Sequence, residues 1–203
     1  MSAPARLGVI VAGGASRRMP GGKAGALLGG CSLLDRAITL VARAGLDPVV
    51  AVRAGTALPQ LTMAAAVWTE PTQAASPHPL RGIAAAVRRA RAPVVVLPVD
   101  LPFLPVGAVT GLACAPASAV LGVAGRPAAL VARVEPELAD GLDAAADAGA
   151  RALTTLTALG AAVLDLSTLA PGAGAERALL NVNDPATLAA AERQLAAGSG
   201  PTD

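Results

Sequence analysis

The sequence predicts a single α/β domain of three-layer α/β/α architecture, with helices on both faces of a mostly parallel mixed sheet. The first reason is the short apolar run Leu7–Val11, which breaks off at Gly13-Gly14 and is followed from residue 33 by apolar positions at helical spacing. Strand, glycine turn and helix form the opening of an α/β domain. The second is the valine-rich run at 93–99, punctuated by Pro93 and Pro98, which marks a strand buried on both faces of a parallel sheet. The third is the alternation of strand and helix patterns along the chain, which implies a layered sheet with right-handed crossovers.

In chain order, Leu7–Val11 reads as a buried strand. Ser32 is an N-cap for a helix whose apolar positions are Leu33, Leu34, Ala37, Ile38, Val41 and Ala42, and Gly45 stops it. Residues 48–52 and 64–68 read as the next strands. A helix at 80–91 carries Arg88, Arg89 and Arg91 on its exposed side, and the strand at 93–99 ends at Asp100. The uncharged stretch 101–125 is long enough to span a bilayer, but Pro102, Pro105, Pro116 and several glycines make it a loop, a short helix and a strand instead. Strands at 118–123 and 127–133 join through Gly125. Helices follow at 135–148 and 152–159, short strands at 162–166 and 179–182, and a last helix from 185 to about 197. These elements define one domain at 1–197, with 198–203 as a disordered tail.

Composition narrows the function. The 203 residues are 54% hydrophobic, but much of that is alanine and valine mixed with 16 basic and 14 acidic side chains, so the expectation is a soluble cytoplasmic protein. The apolar stretch from Leu7 to Ala12 is too short for a signal peptide, and Arg17 and Arg18 stand where a cleavage site would need small residues. Cys31 and Cys114 are far apart, and His78 is the sole histidine, which suggests neither a zinc site nor a disulfide framework. A net charge of +2 without a basic cluster, with one Trp and one Phe, argues against a nucleic-acid surface. Arginine has replaced lysine everywhere except Lys23, and the only asparagines are Asn181 and Asn183. Positions that keep a residue type the chain otherwise avoids are expected to need its chemistry, and a lysine is a compact point charge suited to phosphate.

Residues 11–23 read Val-Ala-Gly-Gly-Ala-Ser-Arg-Arg-Met-Pro-Gly-Gly-Lys. Glycines let backbone N–H groups converge on phosphate oxygens, while Arg18 and Lys23 can neutralise the charge of phosphoryl chemistry. A Walker loop would need glycine at Arg17 and Ser or Thr at Ala24, and a dinucleotide fingerprint would need GxGxxG. A kinase and a dinucleotide-dependent oxidoreductase are therefore disfavoured. Asp100 ends a buried strand, where a carboxylate is costly unless a cation meets it; Mg2+ takes one or two carboxylates with phosphate oxygens and waters. The plainer alternative is that Asp100 caps the turn before Pro102. The amides of Asn181 and Asn183 can donate and accept at once, toward a substrate or toward their own turn. Asp184-Pro185 reads as N-cap and first helical residue, Gly82 near a helix start could admit a nucleotide to the backbone, and His78 is expected in a surface loop.

The pattern (V/L)AGGxSxRMxxxK at 11–23 resembles the MobA-like NTP transferase family, the molybdenum cofactor guanylyltransferase-like nucleotidyltransferases with a nucleotide-diphospho-sugar transferase (GT-A/Rossmann-like) fold. The segment Pro98-Val99-Asp100-Leu101-Pro102-Phe103, the segment Asn181-Val182-Asn183, and Glu70 followed by Pro79-Leu80-Arg81-Gly82 fit the same resemblance. It implies transfer of an NMP group from an NTP to a phosphate-bearing acceptor, with release of pyrophosphate. Arg18, Lys23 and Asp100 would be catalytic, with Mg2+ on Asp100. Val11, Ala12, Gly13, Gly14, Ser16, Lys23, Glu70, Gly82 and Asp100 would contact the nucleotide, and Asn181 and Asn183 the acceptor. The resemblance suggests GTP first and CTP second as donor, molybdopterin as acceptor, and a monomer or weak homo-oligomer with no membrane or nucleic-acid partner. Pro20 stands for the glycine usual after Arg-Met, Glu70 for aspartate, Val52 for asparagine, and Arg126 for the histidine often found before that proline. These departures bear on base and acceptor more than on the transfer. Another cytidylyl- or nucleotidyltransferase acting on molybdopterin or on a sugar or alcohol phosphate stays open, as does a catalytically silent nucleotide-binding regulatory protein.

Overall fold

Gly8 shows how the first strand and first helix come together. Strand β1 (Leu7–Val11) lies so close to helix α1 (Leu33–Arg43) that a Cβ on Gly8 would stand 2.4 Å from Val41 Cγ1. The computed structural model describes residues 3–12, 19, 22–69 and 78–198. Ser32 caps α1: its Oγ accepts from the Asp35 N–H at 3.0 Å and donates to Asp35 Oδ2 at 2.8 Å, a reciprocal capping box. Gly45 follows with φ +77°, a conformation that suits glycine at a helix end.

From α1 the chain enters β4 (Asp47–Val52), which pairs parallel with β1, and then β5 (Ala66–Thr69), parallel with β4. Helix α2 (Pro79–Ala90) returns it to β6 (Val94–Pro98), parallel to β1 on the other side. Helix α3 (Val106–Ala113) precedes the hairpin of β7 (Ala119–Val123) and β8 (Arg126–Val134). Helices α4 (Ala139–Asp147) and α5 (Ala152–Ala158) follow, then β9 (Ala162–Asp165), α6 (Leu166–Leu169), α7 (Ala175–Ala178) and α8 (Pro185–Gly198). A two-stranded ribbon, β2 (Leu27–Leu28) with β3 (Cys31–Ser32), stands before α1.

The main sheet has the order β5-β4-β1-β6-β8-β7-β9. It is mostly parallel: only β8, inserted between β6 and β7, runs against its neighbours. The expected α/β architecture is thus observed, with its mixed character located in one strand. Alternation along the central strands divides the core. Ile10, Val50, Val95 and Leu97 face one apolar layer with α1 and α3, while Val9, Val49, Val94 and Val96 face a second layer with α2 and α4.

Three expectations are corrected. Residues 179–182 do not form a strand: they follow α7 as irregular chain, and the Val182 N–H reaches the Asp100 carbonyl at 2.9 Å. The helix expected at 135–148 begins as a 3-10 turn, Pro136–Leu138, before α4. α8 extends through Gly198, one residue beyond the expected helix end, while 199–203 lie outside the described residues. Among the described residues no helix is long and apolar enough to cross a membrane.

Candidate active site

In open α/β sheets, ligands sit beyond the carboxyl ends of the strands where the strand order reverses direction. Here that point lies between β1 and β6, because the chain builds outward from β1 first through β4 and β5 and then through β6. Val11 is opposite Pro98 in the β1–β6 register, so the exits of both strands share this edge. Ala12 extends β1 by one bond, its N–H donating to the Ala51 carbonyl at 2.9 Å. Gly13, Gly14, Ser16 and Arg18, with Pro20, lie outside the described residues, as does Glu70.

The chain beyond the glycine segment is firmly anchored. Met19 is buried in the layer of α1, and Gly22, at φ +83°, closes a turn by donating its N–H to the Met19 carbonyl at 3.0 Å. Lys23 follows directly. The next bonds tie its turn to α1: Ala26 N–H to the Lys23 carbonyl at 3.2 Å and Leu34 N–H to the Ala24 carbonyl at 3.1 Å. Lys23 therefore projects from a segment fixed on both sides.

Its ammonium meets Asp100, two residues beyond the end of β6. Lys23 Nζ donates to Asp100 Oδ2 at 2.7 Å, with the side chains 20% and 12% exposed. It also donates to Asn183 Oδ1. The three residues are far apart in the chain and come together at the β1–β6 edge. The second carboxylate oxygen, Asp100 Oδ1, is buried with no hydrogen-bond partner among the described residues. Burying a carboxylate is costly unless cations or donors surround it, and Lys23 compensates one of the two oxygens.

Asn183 is held by its own neighbours. Its N–H donates to Thr187 Oγ1 at 2.9 Å, and Asp184 Oδ1 accepts from the Thr187 N–H at 2.8 Å, which caps α8. One residue earlier, the fully buried Val182 makes its backbone bond to Asp100. The structure thus unites Lys23, Asp100 and Asn183, while Asn181 is exposed at the edge of this group. Thr187 was missed in the sequence, although an aspartate followed three positions later by a residue that can share the cap was a usable signal.

The remaining residues divide. Gly82 is buried in α2 and borders a cavity of about 260 Å³ together with Ala51, Trp68, Thr69 and Arg89. This cavity lies under α2 and does not include Lys23, Asp100 or Asn183. His78 is the N-cap of α2, its Nδ1 accepting from the Leu80 N–H at 3.3 Å, which gives it a structural task. Val52 is buried at the end of β4.

The donor set fits a hard divalent cation. Asp100 Oδ1 is a buried anionic oxygen with no hydrogen-bond partner among the described residues, and magnesium favours one or two carboxylates completed by phosphate and water. Among the described residues no three His, Cys, Asp or Glu side chains gather into a metal cluster.

Comparison with known proteins bears on the family and the fold. A model of the MobA-like NTP transferase domain matches residues 8–163. A molybdenum cofactor guanylyltransferase from Sinorhizobium fredii is 41% identical over 105 residues, covering 48% of this chain and 46% of that protein. The chain therefore spans less than half the length of that relative. Among solved structures, molybdopterin-guanine dinucleotide biosynthesis protein A from Archaeoglobus fulgidus superposes with a TM-score of 0.73 at 20% identity, over 94% of this chain and 99% of that one. A nucleotidyl transferase from Methanothermobacter superposes with a TM-score of 0.70 at 14% identity, over 95% and 98%. At these identities the superpositions establish the shared fold.

Proposed function

The chain belongs to the MobA-like NTP transferase family, and on that premise we propose that it transfers a nucleoside monophosphate from a nucleoside triphosphate to a phosphate-bearing acceptor, releasing pyrophosphate. The relative that matches half of the chain supports GTP as the donor and molybdopterin as the acceptor. The observation that carries the reading is the convergence of Lys23, Asp100 and Asn183 beyond β1 and β6.

In this reading a phosphate oxygen of the acceptor attacks the α-phosphorus. A new P–O–P bond forms as the bond from the α-phosphorus to the α–β bridging oxygen breaks, and pyrophosphate leaves with the electron pair. Asp100 would hold Mg2+ through Oδ1, and such an ion, when bound, neutralises phosphate oxygens and orients them for in-line displacement. Lys23 places a positive charge at the same edge. An ammonium has three donors, two of them engaged by Asp100 and Asn183, so the third remains for a phosphate oxygen. Because the lysine is already fixed, little reorganisation is needed as charge builds on the phosphates.

The reading is tested by pyrophosphate release with GTP, CTP, ATP or UTP and molybdopterin, in Mg2+. GTP is expected to be the best donor. Lys23→Ala and Asp100→Ala should each lower turnover by about 10²–10³ while still melting cooperatively, the loss typical of removing one preorganised electrostatic contact. Near-normal release from both folded variants would overturn these roles.

A further inference from the structure

The contact between Lys23 and Asp100 sets a condition on how a cation can reach this site. We propose that Asn183 is a positioning residue that seats the Lys23 ammonium on Asp100, and that this seat makes divalent cation binding conditional on a bound polyphosphate. The proposal rests on the nucleotide reading given above and adds to it an order of binding and a reason for Asn183.

Charge carries the argument. Asp100 contributes one negative charge and Lys23 one positive charge, with Nζ 2.7 Å from Oδ2. A free divalent cation approaching Oδ1 meets a carboxylate whose charge is already balanced, together with an ammonium that repels it at short range in a poorly solvated setting. A triphosphate brings several negative charges at once. It supplies oxygen ligands and gives the third Lys23 donor a partner, so the cation and the lysine then act on the same phosphates instead of competing for one carboxylate.

Asn183 fixes where the ammonium sits. Its Oδ1 accepts from Nζ, and its backbone is tied on one side to Thr187 and on the other, through Val182, to the Asp100 carbonyl. The asparagine is thus referenced to the same residue it helps Lys23 to engage. An amide oxygen suits this role because it accepts a hydrogen bond without adding charge; a carboxylate there would create a second anionic ligand and a standing cation site.

The test measures Mn2+ binding to the full chain by the loss of the free-ion electron paramagnetic resonance signal, with and without a non-hydrolysable GTP analogue. Wild type should bind Mn2+ weakly alone and at least about tenfold more tightly with the analogue. Without nucleotide, Lys23→Met should bind Mn2+ about tenfold more tightly than wild type, and Asn183→Ala should move part of the way in the same direction. Asn183→Asp should bind most tightly. Lys23→Gln serves if Lys23→Met does not fold. Equal nucleotide-free affinity in wild type and the Lys23 variants would overturn the inference while leaving the transferase reading intact. A wild-type protein that binds none of the four nucleoside triphosphates, judged by unchanged melting midpoints, would overturn both.

Discussion

Asp35 is buried on the first turn of α1 and is fully engaged. It pairs with Ser32 and accepts the Thr62 N–H on Oδ1 at 2.9 Å. Burial pushes its carboxyl up, but the bonds from Thr62, Ser32 and Met63 outweigh that effect and hold it below the ordinary value of 3.8. A carboxylate with a depressed folded value stabilises the fold above its unfolded value, and that stability is lost as pH falls through the folded value. The unfolding free energy should therefore drop as pH falls from about 4 downward, and Asp35→Asn should flatten the slope of urea midpoints in that window. Arg133 offers a second test. Its side chain is fully buried in β8 and donates to the Ala113 carbonyl at 2.7 Å, the Ala3 carbonyl at 2.6 Å and Glu135 at 2.8 Å. Removing one partner of a buried charged network costs about 3–5 kcal/mol, so Arg133→Ala should lower the urea-derived stability by that order. A loss under about 1 kcal/mol would show that water replaces the guanidinium. Lys23 and Asp100 were legible as single residues: a lone lysine in an arginine-rich chain and a lone aspartate after a buried apolar run. Their pairing with Asn183 was not, because neither periodicity nor composition encodes contacts between such distant parts of the chain.

Elements were legible in proportion to how much apolar pattern they carry. β1, β6 and α1 have continuous or periodic runs and fall within a residue or two of expectation. The stretch 179–182 carries a strand-like pattern without forming a strand, because four residues containing Leu179, Leu180 and Val182 look alike whether they pair in a sheet or simply bury against one. Here Val182 buries under the α8 entrance and makes one bond to Asp100. The β2–β3 ribbon has only two residues in each strand, too few for alternation to show, and it is held by α8, with Gly29 N–H donating to Glu192 Oε1 at 2.9 Å. At this scale the β1–α1 contact makes a prediction. A methyl on Gly8 would overlap the Val41 side chain, so either α1 or the strand must shift. Gly8→Ala should cost about 1–3 kcal/mol, as overpacked cores do. The same shift moves the exit of β1, so a lower affinity for GTP should accompany the lower melting midpoint; an unchanged midpoint would show that Val41 yields instead.

At the scale of the whole molecule, three regions that fold against different partners meet at the active edge. Lys23 is anchored to α1, Asp100 follows β6, and Asn183 precedes α8. Each is stabilised by its own surroundings, and among the described residues the Lys23 bonds and the Val182–Asp100 bond hold the three in register. A nucleotide that engages all three should therefore stabilise the connection between them more than any one element. At 100 times its dissociation constant a ligand adds about 2.7 kcal/mol, which for a chain of this size raises the midpoint by about 5–10 °C. Hydrogen exchange would locate the gain: the Val182 and Asn183 amides should slow on adding GTP with Mg2+, whereas amides of α4, on the opposite face of the sheet, should change only where global unfolding governs them. Slowing confined to α2, beside the cavity under Trp68, would instead place the nucleotide away from Lys23 and remove the site proposed for the transfer.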